Sequence, residues 1–360
     1  MSYIKFHKTF TLNGKSFESV EELLAFSKTI SLDIVTFLRY WFDTTDFISV
    51  QTSGSTGKPS TIRLKKEHMI NSALATGDYF DIHKETKALL CLSPNYIAGK
   101  MMLIRALVLG WQLDVVKSDS HPLKNIKKEY DFCAMVPLQL SNSLSKLHII
   151  KKLIVGGGVV SNALLSKLQD ISTEVYATYG MTETITHIAI KPLNILNEMS
   201  LRGGTTWQSH ENNYSTLSNI KLSTDNRGCL IIDAPKLSDI KIITNDIVEL
   251  ISETEFKWLG RYDTIINSGG IKLIPEQIEK KLVEIISERF FVAGIPDDLL
   301  GKKLVLLIEG KNSDNVILNK VRNLNTLDKF EVPKEIFFIK NFVETETKKI
   351  QRQQTLGLVL

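Results

Sequence analysis

The sequence predicts an α/β protein in two parts: a large N-terminal domain with mixed sheets and flanking helices, then a small α+β domain. Three observations lead there. Short apolar runs alternate with helical patterns up to residue 180, which argues for parallel strand pairs with helices on both faces. Between residues 229 and 260, strand-like runs follow one another with only turn signals between them, an antiparallel pattern. The last stretch, of about 100 residues, carries its own helix and strand patterns and is long enough to fold alone. The boundary is placed at GRYD (260–263), giving domains of 1–261 and 262–360.

In order along the chain, residues 1–47 read as a short strand or two and then helices around 19–27 and 33–41. ALLCLS (88–93) is a buried strand, and KMMLIRALVLG (100–110) is a helix closed by Gly110. QLDVV (112–116) and DFCAMVP (131–137) are again strand-like. KKLIVGGG (151–158) runs a strand into glycines, Ser161 is placed to cap the next helix, and EVYATYG (174–180) is a strand ending in a tight turn. Glycines and hydroxyls thus follow Val50, Val155 and Thr178, at the carboxyl ends of strands, where parallel sheets bind ligands. Residues 207–219 are polar and loop-like. CLIIDA, DIKIITNDIVELIS and EFKWLG are the antiparallel strands. Beyond Gly260, Pro275 opens a helix reaching Arg289, FFVAGI, KLVLLIEG and EIFFIK are strands, and a helix lies near 315–323.

Composition excludes several classes. Forty-four Lys and Arg against 40 Asp and Glu leave a net charge of +4, with no basic stripe or aromatic platform, so no nucleic-acid partner is expected. Hydrophobic residues at 43% supply a sizeable core. Cys91, Cys133 and Cys229 are widely spaced and odd in number, which fits buried free thiols in a reducing compartment. No apolar run has the length of a signal peptide or membrane span. The expectation is a cytoplasmic protein without a membrane span. Homo-oligomerisation is left open.

QTSGSTGKPSTIRL (51–64) carries the first sign of chemistry. A Walker A loop needs four residues between its glycines, whereas Gly54 and Gly57 have two between them and Pro59 follows Lys58. The segment still suits an oxyanion: Gly54 and Gly57 let backbone N–H groups converge, Ser53, Ser55 and Thr56 add hydroxyls, and Lys58 adds a point charge. On composition alone a flexible linker accounts for it as well.

Further motifs set that loop in context. TSGSTGKP (52–59) resembles the signature loop of the adenylate-forming superfamily of acyl- and aryl-CoA synthetases, luciferases and peptide-synthetase adenylation domains. YGMTE (179–183) resembles the family's adenine and magnesium motif, and IITND (242–246) the strand whose closing aspartate holds the ribose. GRYDTIINSGGIKLIPEQIE (260–279) is similar to its hinge and following helix, and VPKEIFFIKNFVETETKKIQR (332–352) to the tail with its catalytic lysine.

The resemblance implies ATP, Mg²⁺ and coenzyme A as reactants, an acyl-adenylate intermediate, and a C-terminal domain that moves. It assigns Thr52, Ser53, Gly54, Ser55, Thr56, Gly57 and Lys58 to the β- and γ-phosphates, Thr182 to the α-phosphate, and Glu183 to the metal. Tyr179, with Gly180 and Met181, would pack on adenine, and Gly156, Gly157 and Gly158 would let base and substrate approach the backbone. Asp246 would hold the ribose, Arg261 the ribose or phosphate, and Lys349 the α-phosphate and attacking carboxylate. Asp263 would be the hinge, and Ser268, Gly269 and Gly270 would line the thiol channel.

Read locally, Glu183 is also an ordinary carboxylate at a helix start, the Gly triplet a plain turn, and Lys348, Lys349 and Arg352 a solvated basic run. Three departures from the family stand out: Ser60 and Thr61 replace the lysine after Pro59, Val343 and Lys348 replace the tail's Pro and Gly, and only about 50 residues precede the phosphate loop.

The chain resembles compact members of the family with this loop and turn, GMTET followed by His187, and that resemblance implies a small aromatic carboxylic acid bearing a second carboxylate as substrate. Tyr96, Lys100, Arg105 and His187 are the candidates to recognise such an acid, and a solvated helix face is the other reading of Lys100 and Arg105. A free-standing enzyme that loads a carrier protein, a ligase for another aryl or acyl acid, and a nucleotide-binding protein without turnover are the alternative functions.

Overall fold

The computed structural model describes residues 6–51, 60–194, 213–310, 315–345 and 350–360. The chain opens with β1 (Thr11–Leu12), α1 (Val20–Ile30) and α2 (Leu32–Phe42). Ser19 caps α1 by accepting from the Glu22 N–H at 3.2 Å, and Ser31 ends α1 and caps α2. β2 (Phe47–Gln51) and β3 (Thr61–Lys65) then pair as an antiparallel hairpin, with Gln51 opposite Thr61. The segment expected to hold phosphate therefore leaves a separate hairpin and not the carboxyl end of a parallel strand.

α3 (Lys66–Phe80) follows in an interval where the sequence pattern marks no element. Then come β4 (Lys87–Leu90), α4 (Ile97–Leu109), β5 (Gln112–Val115), β6 (Tyr130–Met135), α5 (Pro137–Ser143), β7 (Ile150–Val155), α6 (Asn162–Leu168) and β8 (Glu174–Gly180). Gly110 closes α4 at φ 75°, and Ser161 caps α6 through the Leu164 N–H, as the sequence predicts. β9 (His187–Pro192), β10 (Tyr214–Thr216), β11 (Lys221–Thr224), β12 (Cys229–Asp233), β13 (Ile242–Leu250) and β14 (Glu255–Arg261) complete one sheet. Its spatial order is β1-β5-β4-β6-β7-β8-β9-β10-β14-β13-β12-β11. Pairing is parallel from β1 to β8 and antiparallel from β8 onward. The mixed sheet and flanking helices are the architecture the sequence predicts.

Strand alternation divides the core. Ala88, Leu90, Phe132 and Ala134 face a cluster containing Trp41, Trp111 and α4, while Leu89, Cys133, Met135, Leu153 and Val175 face the opposite side. α4 is buried almost all round, from Met101 through Leu107, which makes it the central helix of the first cluster.

A second sheet contains β15 (Ile266–Ser268), β16 (Ile271–Leu273), β17 (Phe290–Asp297), β18 (Gly301–Glu309) and β19 (Glu335–Ile339). α7 (Pro275–Leu282) and α8 (Asn315–Arg322) lie between its strands in sequence, and α9 (Arg352–Leu356) follows it. Two cores of its own flank this sheet, one around Ile278, Leu282 and Leu306 and one around Phe291, Leu307 and Phe342. α7 opens at Pro275 as predicted but stops at Leu282, well short of Arg289. The last turn tightens there, with the Ile285 N–H bonding back to the Leu282 carbonyl at 3.0 Å, and Leu282 and Ile286 both enter the same core.

Candidate active site

The site forms where the large sheet changes from parallel to antiparallel. β8 ends at Gly180, residues 182–184 make one 3₁₀ turn, and β9 returns beside β8. A Cβ on Gly180 would stand 2.2 Å from the Thr186 carbonyl oxygen and 2.5 Å from the His187 Cα, so glycine alone lets the strands meet this closely. Thr184 is fully buried and ties the turn: its hydroxyl accepts from the Met181 N–H at 2.9 Å and reaches the Met181 and Thr186 carbonyls at 3.0 and 2.7 Å. Ile185 is held at φ 69°, an arrangement that costs about 1–3 kcal/mol for a β-branched residue and is locked by these bonds. Thr182 is half-buried and Glu183 exposed on this turn.

Asp246, on β13, is buried at 8% exposure and is held from three sides. Tyr179 donates its hydroxyl to Oδ2 at 2.7 Å, Trp258 donates Nε1–H to Oδ1 at 3.1 Å, and the Arg261 guanidinium lies 3.9 Å from Oδ1. Burial, and then the adjacent Asp246, push the Tyr179 phenol far above its ordinary range, so it is a fixed donor. Its ring packs edge-on to Phe256 at 5.0 Å within a cluster completed by Tyr214. Arg261 also forks onto Asp263 at 2.8 and 3.0 Å, and this bond, with the Asp263 and Asp246 charges, holds its pKa above the usual arginine value against the opposing effect of burial.

Behind the turn lies a buried polar pocket. Arg105 of α4 is 1% exposed, which overturns the reading of that residue as a solvated helix face. Its Nε donates to the Thr76 hydroxyl at 3.1 Å, and its Nη2 lies 3.3 Å from the Thr186 hydroxyl and 3.4 Å from His187 Nδ1. Among the described residues no carboxylate pairs with it, and burial lowers its pKa to about 9. His187 is buried too, and burial with the adjacent Arg105 charge drives its pKa well below 6.5, leaving it neutral. The Ser72 hydroxyl, one helical turn before Thr76 on α3, is buried without a partner among the described residues.

The sequence candidates thus fall into groups. Tyr179, Asp246 and Arg261 come together on one face, Arg105 and His187 on another, and Gly180, Met181, Thr182 and Glu183 form the turn joining them. Gly156, Gly157 and Gly158 follow β7 beside β8, and a Cβ on Gly156 would meet the Thr178 hydroxyl at 2.6 Å. Lys100 is not brought to Arg105: five residues apart, they point about 140° from each other around α4. Its Nζ donates to the Pro94 and Asn95 carbonyls at 2.5 and 2.9 Å, and burial lowers its pKa to about 8. Tyr96 precedes α4, with its side chain partly exposed. Asp263 sits in a 3₁₀ turn, and Ser268, Gly269 and Gly270 form the tight β15–β16 hairpin. Thr52 to Lys58, and Lys348 and Lys349, lie outside the described residues.

Trp258, Thr76 and Thr186 are the site residues that sequence reasoning passed over. A carboxylate ligand set of three or more is absent among the described residues. A lone exposed Glu183 nonetheless fits Mg²⁺, which is commonly held by one or two carboxylates and the substrate's own phosphates.

A family model for AMP-binding enzymes matches residues 41–213. An acyl-CoA synthetase (AMP-forming)/AMP-acid ligase II-like protein from Dyadobacter fermentans, of known structure, is 33% identical, covering 91% of this chain and 94% of that one at a TM-score of 0.58. This chain belongs to the AMP-binding enzyme family. As an AMP-binding enzyme it is an AMP-forming acid–thiol ligase of the adenylate-forming superfamily. A 2-succinylbenzoate–CoA ligase of Geobacillus sp. is 23% identical over 89% of this chain and 70% of its own length. The o-succinylbenzoate coenzyme A synthetase of Bacillus subtilis, solved with ATP and magnesium, shares the fold at a TM-score of 0.69 and 21% identity, over 86% of this chain and 69% of that one. Among the described residues no helix of this AMP-binding enzyme is long and apolar enough to cross a membrane.

Proposed function

We propose that this ligase joins o-succinylbenzoate to coenzyme A through an acyl-adenylate, a step of menaquinone biosynthesis, in the cytoplasm. The observation that carries the substrate is Arg105. A buried guanidinium with only neutral partners is costly, and an anionic ligand group would compensate it. It touches Thr186 and His187, directly behind the turn that carries Thr182 and Glu183. An acid with two carboxylates fits: one is activated at the turn while the other pairs with Arg105 beside neutral His187.

In the first half-reaction a carboxylate oxygen bonds to the α-phosphorus of ATP as that phosphorus loses its bond to the bridging oxygen, and pyrophosphate leaves. Thr52 to Lys58 would cradle the β- and γ-phosphates, Thr182 the α-phosphate, and Lys349 the attacking carboxylate. Tyr179 and Met181 would flank adenine, with Gly156 to Gly158 leaving room for base and acid, and Asp246 and Arg261 would hold the ribose. Glu183 would hold Mg²⁺, which when bound would supply charge neutralisation on the triphosphate. In the second half the thiol sulfur bonds to the acyl carbon, the carbon–oxygen bond to AMP breaks, and the thiol proton passes to solvent. Rotation of residues 262–360 about Asp263 would withdraw Lys349 and bring Ser268, Gly269 and Gly270 to the site.

The test is CoA-thioester formation with ATP and Mg²⁺ on o-succinylbenzoate, benzoate, a medium-chain fatty acid and acetate. Turnover confined to o-succinylbenzoate is expected. AMP release with another acid would retain the chemistry and overturn the substrate, and adenylate without thioester would favour carrier loading.

A further inference from the structure

β13 and β14 are not regularly paired beside Asp246. Asp246 stands opposite Arg261 and Ile247 opposite Gly260, but Val248 stands opposite Trp258, so Leu259 is an extra residue in β14. In an uninterrupted ladder a residue three before Arg261 points to the other face of the sheet. The bulge restores Trp258 to the face of Asp246 and Arg261. The carbonyl of the extra residue accepts from Gln277 Nε2 of α7 at 2.5 Å. The re-aimed indole donates to Asp246 Oδ1, while Tyr179 donates to Oδ2. Each carboxylate oxygen so held retains a free lone-pair direction, and the two together match the paired hydroxyls of a ribose.

From this geometry we infer that Trp258 is a positioning residue for nucleotide recognition: its indole N–H fixes the Asp246 carboxylate in the rotamer that accepts both ribose hydroxyls. The inference rests on the reading of Asp246 as the ribose ligand. Trp258 does not touch the sugar and acts through the carboxylate, so its effect must depend on the hydroxyls being present.

The experiment is calorimetric titration of the full chain with Mg²⁺-ATP, Mg²⁺-2′-deoxyATP and Mg²⁺-3′-deoxyATP, in the absence of acid, for the wild type, Trp258→Phe, Trp258→His and Asp246→Asn. The wild type should prefer ATP over both deoxy forms. Trp258→Phe, which keeps an aromatic body without the donor, should weaken ATP roughly tenfold, as expected for loss of a hydrogen bond to a charged group, and leave the deoxy forms nearly unchanged. Trp258→His, which keeps a ring N–H, should recover part of the preference. Equal weakening of all three nucleotides by Trp258→Phe, or an unchanged preference, overturns the role of Trp258 while leaving Asp246 in place. A wild type without preference, or an Asp246→Asn variant that retains it, overturns the ribose assignment and the inference with it.

Discussion

Replacing Arg105 by methionine should make the unliganded protein more stable and the enzyme worse. The magnitude follows from the pocket. Lowering the arginine pKa from 12.5 to about 9, at about 1.4 kcal/mol per pKa unit, means that burying the charge destabilises the fold by on the order of 5 kcal/mol. Its three neutral hydrogen bonds return about 1 kcal/mol each. A methionine of similar reach removes both terms, for a net gain of about 2 kcal/mol in urea unfolding at pH 7. The folded-state pKa lies below the unfolded one, so the charge penalty is fully present below pH 9 and fades as pH rises through it. The stability gap between variant and wild type should narrow accordingly above pH 9. In the liganded enzyme the balance reverses, because the second carboxylate is left buried without its cation. KM for o-succinylbenzoate should rise on the order of a hundredfold, while an analogue with hydrogen in place of that carboxylate should react equally in both proteins. A variant that is less stable than wild type, with an unchanged KM for the diacid, would refute the pocket as an anion site.

Gly180→Ala should destabilise by about 3 kcal/mol in urea titrations and abolish ATP–pyrophosphate exchange, because its methyl meets backbone and not a movable side chain. His187 is kept neutral in the fold but titrates near 6.5 when unfolded, so stability should fall as pH drops below 6.5, by up to about 1.4 kcal/mol per pH unit; His187→Gln should flatten that part of the unfolding midpoint against pH. Arg352 forks onto half-buried Glu279 at 2.8 Å by both Nη atoms and follows the segment of Lys349 by three residues. Arg352→Ala should lower stability by about 3 kcal/mol by stranding that carboxylate, and should slow adenylate formation more than thioester formation from supplied adenylate.

What the sequence could show depended on how local the cause was. Ser19, Gly110, Ser161 and Pro275 act within one turn of where they stand, and the element ends they predict are where the structure has them. The parallel half of the sheet was legible because alternation between two buried faces leaves near-continuous apolar runs such as Tyr130–Met135. α3 was passed over because its buried face includes Lys66, His68, Ser72 and Thr76, which weakens the apolar stripe that marks a helix. Arg105 and His187 could be named as candidates from their motifs, but their meeting is a contact across 82 residues. Trp258 gave no signal, since in a regular strand it would face away from Asp246. Only the pairing register reveals the extra residue that turns it.

The β8–β9 turn imposes an order on how this site can change. Tyr179 and His187 stand at either end of a segment in which Gly180 is pressed on the next strand's backbone and Thr184 is buried with its hydroxyl engaged. Moving any part of that segment would shift the adenine side and the acid side together, so it cannot tune one without the other. Arg105 reaches the same pocket from α4, a helix that, among the described residues, makes no hydrogen bond to Tyr179, Asp246 or Trp258. Substrate preference is therefore separable from nucleotide recognition only on the helical side. Charge-removing changes at Arg105, combined with altered volume at Ser72 or Thr76, are the route by which this scaffold would accept an acid with a single carboxylate while its affinity for ATP stays as it is.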